Sequence, residues 1–164
     1  VSTKSASRCF DELEYLNIDV LGMKGKSRVI NIPDDRKQLW KQIENALRNP
    51  VIRRFVLRED MKIEKKAGIS ALCEYSLLSD NVYPTYAVTK RELKDSGVKV
   101  EKQVSELEEI GCVVLELGYF IDFLGKGFQD PLSVVLSLTG EEQEEERVDI
   151  SINEMLEEYV WSKD

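Results

Sequence analysis

The chain contains no histidine, which removes at one stroke the commonest general base and the commonest zinc ligand. Cysteine is scarce. Cys9, Cys73 and Cys112 are far apart and odd in number, so neither a disulfide framework nor a zinc site is expected, and a reducing cytoplasm fits. Each has apolar neighbours in sequence and is expected to be a small core residue. No apolar run approaches the roughly 20 residues that span a bilayer, and no signal pattern is visible near Val1. Phosphate loops, glycine-rich dinucleotide fingerprints, nucleophile elbows and His/Cys metal spacings are all missing. The expectation is therefore a protein of the cytoplasm with no catalytic residue, no cofactor and no membrane partner.

What is there describes an ordinary globular protein of 164 residues, 42% hydrophobic and 33% charged, enough for one generous domain or two small ones. The net charge of −8 hides a division. Residues 1–66 hold 15 Lys/Arg and 10 Asp/Glu, while residues 67–164 hold 8 and 21. Asymmetry of this kind points to nucleic-acid contact by the basic part, with the acidic part keeping the molecule soluble and limiting non-specific binding.

The most informative stretch is Val1–Pro33. Ala6, Cys9, Phe10, Leu13 and Leu16 have helical spacing, and Ser2 or Thr3 is placed to cap the start. Asn17 stops the helix, and Ile18–Leu21 and Arg28–Ile32 read as two strands joined by a tip at Gly22–Ser27. The first turns of the helix carry small hydroxyls and cations: Ser2, Thr3, Lys4, Ser5, Ser7 and Arg8. Lys4 and Arg8 share a face, and the hairpin adds Lys24, Lys26 and Arg28. Arginine can read guanine bidentately, whereas serine and threonine contact phosphate or several bases. Asp11, Glu12 and Glu14 would be repelled by phosphates, which confines base contact to the N-terminal turns. A helix followed at once by a basic-tipped hairpin is the pattern of a recognition helix and wing. The expected DNA-binding residues are thus Ser2, Thr3, Lys4, Ser7, Arg8, Lys24, Lys26 and Arg28. The competing reading of the same residues is an amphipathic helix beside a surface hairpin with incidental lysines.

Ser2-Thr-Lys-Ser-Ala-Ser-Arg8, followed by Phe10-Asp-Glu-Leu-Glu-Tyr-Leu16, resembles the recognition helix of MarR-like winged helix-turn-helix transcriptional regulators. The resemblance covers about residues 1–33. It implies two further helices before this one, so the chain is expected to be a fragment of a bacterial regulator, and the family's dimer and ligand site are not carried over. More loosely, Gly68-Ile-Ser-Ala-Leu-Cys-Glu-Tyr75, Pro84-Thr-Tyr-Ala-Val88 and Asp130-Pro-Leu-Ser133 resemble regulator or antitoxin proteins of abortive-infection (AbiEi-type) systems. That likeness implies autoregulation of an operon and neutralisation of a partner toxin.

Further along, Pro33-Asp34-Asp35 opens a helix with Leu39, Trp40, Ile43, Ala46 and Leu47 on its apolar face, ended by Asn49-Pro50. Val51–Leu57 reads as a strand and Arg58–Lys66 as a charged, mobile connection. Ala67–Leu78 reads as a helix, Val82–Thr89 as a strand that Pro84 places at an edge, and Thr89–Leu93 as a helical turn capped by Thr89. Val98–Ile110 fits strand or helix. Cys112–Tyr119 is the clearest strand. Pro131–Leu138 reads as a helix with proline at its first position, and Glu141–Glu158 as one acidic amphipathic helix with Val148, Ile152, Met155 and Leu156 inward. Trp40 and Trp161 are expected in packing roles. A nuclease-like metal site around Glu116, Asp122 and Asp130 is an alternative reading, but no lysine follows Glu116 in Leu117-Gly118-Tyr119.

The expected fold is α+β (mixed α/β): a partial winged helix with its connecting helix over residues 1–50, then a small α/β domain over residues 51–164. Double-stranded DNA is the expected partner of the first part. Operators are two-fold symmetric, so a homodimer is expected of the intact protein. A protein partner is expected for the acidic second domain.

Overall fold

The computed structural model describes residues 2–58, 63–96 and 110–162. The fold is mixed α+β, and it divides into two compact units, Val1–Leu47 and Arg48–Asp164.

The first unit begins with helix α1, Thr3–Tyr15, capped by Ser2, whose side chain accepts a hydrogen bond from the Ser5 amide. Asn17 ends it by adopting a left-handed conformation at φ 56°, which asparagine tolerates better than most residues. Strands β1 (Leu21–Lys24) and β2 (Ser27–Ile30) then pair antiparallel, with Lys24 opposite Ser27. The tip is thus the two residues Gly25-Lys26, tighter than the six-residue tip expected. A two-residue hairpin needs positive φ at its first central position, and Gly25 supplies it at 64°. Gly22 lies within β1, opposite Val29. A side chain there would stand 2.3 Å from the Asn31 amide group.

Helix α2, Arg36–Ile43, is capped by Asp35, which accepts from the Gln38 amide at 2.9 Å. A 3₁₀ turn, Glu44–Ala46, finishes it before Asn49-Pro50 is reached. Ile18, Val20 and Trp40 are the buried apolar residues of this unit. No residue of α1 is buried, so Cys9 is exposed rather than a core residue. The apolar stripe of the helix has too little packed on it to take that thiol out of water.

The second unit is built on β3 (Val51–Leu57), β4 (Thr85–Thr89) and β5 (Cys112–Leu117), in the order β3-β5-β4, with β3 antiparallel and β4 parallel to β5. Every residue of β5 is buried, which is why its sequence is apolar on both faces rather than alternating, save for Glu116, which is paired with Arg53. Cys112 and Val114 cluster with Phe55, Leu57 and Val88, and Val113, Leu115 and Leu117 cluster with Ala67 and Ala87. Strand β4 ends the three-stranded sheet, with Pro84 just outside it. Isolated bridges continue the pattern from Tyr86 to Lys66, from Lys66 to Phe128, and from Gln129 to Asp122. Lys66 is therefore tied down, and its ammonium pairs with Glu74. Residues 59–62 of the expected mobile connection lie outside the described residues, as do residues 98–109 of the ambiguous segment.

Helix α3, Gly68–Tyr75, is shorter than expected, because Ser76 turns extended and its hydroxyl donates back to the Leu72 carbonyl. Helix α4, Lys90–Asp95, starts in a complete capping box of Thr89 and Glu92. Helix α5, Pro131–Ser137, has the expected proline in its first turn. The single acidic helix expected from Glu141 onward is two: α6, Gly140–Glu144, and α7, Glu146–Leu156, broken at Glu145 (φ −70°, ψ 119°). The break has a tertiary cause. The Gln143 amide donates to the Val135 and Leu138 carbonyls, and Glu142 pairs with Arg54 on β3, so α6 is held in its own direction. Val148, Ile152, Met155 and Leu156 are buried with Ile69, Leu72 and Val134, and Trp161 packs on the same cluster from a π-helical turn.

Candidate nucleic-acid interface

Helix α1 passes through a short turn into the β1–β2 hairpin, the succession that a reading helix and wing require. The eight residues expected at the interface do not share one environment. Ser2 is spent on the cap: its Oγ accepts from the Ser5 amide at 3.2 Å and lies 2.9 Å from the Ser5 hydroxyl. Thr3, Lys4 and Arg8 are exposed on the first turns of α1. Lys24 and Lys26 are exposed at and beside the hairpin tip. Four exposed cations thus sit on the first turns of α1 and at the β1–β2 turn.

Arg28 and Ser7 are used differently. The guanidinium of Arg28, on β2, reaches α1 and donates from Nη1 to Asp11 Oδ1 at 2.7 Å and from Nη2 to Ser7 Oγ at 2.8 Å. It also lies over the Phe10 ring, 5.0 Å from the centroid. Ser7, Phe10 and Asp11 are spaced i, i+3 and i+4, hence on one side of the helix. Asp11, read in the sequence as a group that phosphates would repel, is neutralised by Arg28. The seat formed by Phe10 and Asp11 was not foreseen, since nothing in the sequence says which cation an acidic helix residue will meet.

The second unit has an open groove of about 680 Å³, lined by residues that include Ile63, Lys65, Val88, Glu92, Asp122 and Lys126. Lys65 pairs with Glu92 at this groove and lies over the Phe120 ring. The hydrogen bond from Lys65 holds the Glu92 carboxyl down at about 2, helped by the Thr89 amide. The three carboxylates weighed as a metal site are engaged separately. Glu116 is buried and paired with Arg53 of β3. Asp122 accepts from the Gly127 amide, and Asp130 caps α5 through the Ser133 amide. Among the described residues no group of three Cys, Asp or Glu side chains is placed to hold a metal ion. No helix of the described residues is long and apolar enough to cross a membrane.

No family model, curated protein or solved structure matches this chain.

Proposed function

We propose that the first unit is the DNA-reading part of a cytoplasmic transcriptional regulator. In this reading Lys4 and Arg8 enter the major groove, with Thr3 beside them, while Lys24 and Lys26 meet the flanking backbone. The observation that supports it is the pairing of the first turns of a helix bearing exposed cations with a hairpin that bears two more at and beside its tip. Arg28 takes Asp11 out of the electrostatic balance on that side of the helix. Phosphate contacts supply affinity, and base contacts from the helix supply choice of site. The regulator binds as a homodimer, and its acidic second unit binds a partner or effector.

The test is a titration of the full chain against a fluorescent duplex at low salt. Lys4→Ala combined with Arg8→Ala is expected to lower affinity at least about tenfold, since each lost cation removes a phosphate or base contact. Equal binding by the double variant and the wild type would sink the proposal.

A further inference from the structure

We infer that Arg28 is a positioning residue, a strut that fixes the hairpin against the reading helix, and that it makes no contact with DNA itself. The inference rests on the DNA-reading role proposed for this unit and names the device that sets its geometry.

Arg28 has the seat such a role needs. Two of its guanidinium nitrogens are committed to α1, to Asp11 at 2.7 Å and Ser7 at 2.8 Å, and its central carbon lies over the Phe10 ring, 5.0 Å from the centroid. Two-point attachment by a planar fork is a use that lysine cannot reproduce. Strand β2 places Arg28 opposite Met23, one pair in from the Lys24–Ser27 pair that closes the turn. The attachment is therefore made close to the cations it would orient, Lys24 and Lys26. On the helix, Ser7 is three residues from Lys4, and Asp11 three from Arg8, so the strut lands beside the pair that would read bases. A hairpin of two four-residue strands is marginal in isolation. Since α1 has no buried residue, polar attachment carries much of the alignment between helix and hairpin. If that alignment slips, helix cations and tip cations no longer address one duplex together, and affinity gained by linking two contact sets is lost.

A phosphate-contact role and a strut role give opposite results on substitution. For a strut, Arg28→Lys is expected to weaken duplex binding about tenfold, through lost two-point geometry, while the slope of log affinity against log salt stays unchanged. For a phosphate contact, lysine would preserve affinity, and Arg28→Ala would reduce the slope by about one. A charge swap decides further. Arg28→Asp is expected to be defective, and combining it with Asp11→Arg is expected to restore binding to within about threefold, because the pair is rebuilt with its polarity reversed. An aspartate at position 28 cannot serve a phosphate, so recovery means alignment. Failure of the swap to recover, with Arg28→Lys behaving as wild type, would overturn the inference.

Amide hydrogen exchange over residues 21–30 supplies an arm that needs no DNA. Protection is expected to fall in Arg28→Lys and Arg28→Asp and to return in the swap. A wild-type chain that bound no duplex would overturn the DNA reading and the purpose given to Arg28. Unchanged protection in both single variants would overturn the strut while leaving the DNA reading standing.

Discussion

At the scale of single residues, the structure concentrates its polar accounting at Gln129. This side chain is fully buried, accepts from the Gly68 amide at 3.0 Å and donates to the Ser137 hydroxyl at 3.0 Å. The Gln129 backbone carbonyl takes the Tyr75 hydroxyl at 2.5 Å, and burial pushes that phenol well above its ordinary range. One residue thus satisfies the first amide of α3, a hydroxyl of α5 and the centre of the Tyr75–Phe123–Phe128 aromatic cluster. Gln129→Leu is expected to cost roughly 2 kcal/mol in chemical denaturation, since it leaves the buried Gly68 amide unpaired at about 1–3 kcal/mol, while the Ser137 hydroxyl keeps its bond to the Ser133 carbonyl. Nothing in the sequence marks Gln129, because a buried glutamine has no periodic signature and its partners are 61 and 8 residues away. Glu116 is a similar case. It stands out as a carboxylate on a strong strand, but its partner Arg53 lies 63 residues earlier, on the neighbouring strand, and pairing across a sheet cannot be read from local spacing.

At the scale of elements, the sequence was most legible where local chemistry decides. The Val51–Leu57 strand, the Thr89 cap, the proline opening α5 and the Asn17 stop all depend on residues within a turn or so of one another. Boundaries moved where distant partners intervened, as when Gln143 and Glu142 separated α6 from α7. The start of α4 gives a measurable consequence of one cap. With the Lys65 bond and the Thr89 amide, the Glu92 carboxyl titrates at about 2 in the folded chain, below its ordinary value. A depressed folded value contributes stability that is present above the unfolded value and is lost as pH falls toward about 2. The melting temperature is therefore expected to fall between about pH 5 and pH 2, with part of that fall missing in Glu92→Gln. Because the Glu92 side chain is 45% exposed, the difference should be small and should shrink further in high salt. An identical acid limb in the two proteins would contradict the assignment.

At the scale of the whole molecule, the unit boundary changes what the charge pattern means. Residues 1–47 hold 8 Lys/Arg and 7 Asp/Glu, and residues 48–164 hold 15 and 24. Much of the basic excess seen over residues 1–66 therefore belongs to the second unit, where Arg53, Arg54, Lys65 and Lys66 are all paired with carboxylates. The DNA reading consequently rests on where four cations sit rather than on net charge. It also rests on α1 leading directly into a hairpin, an arrangement legible in the sequence because helix period, glycine turn and strand composition are all local signals.

The central claim is most directly tested by the salt dependence of duplex binding by the full chain. If Lys24 and Lys26 each neutralise one phosphate while Lys4 and Arg8 read bases, log affinity should fall against log salt with a slope of about −1.8 or steeper for each reading unit. A slope near zero, or no binding at low salt, would contradict the account.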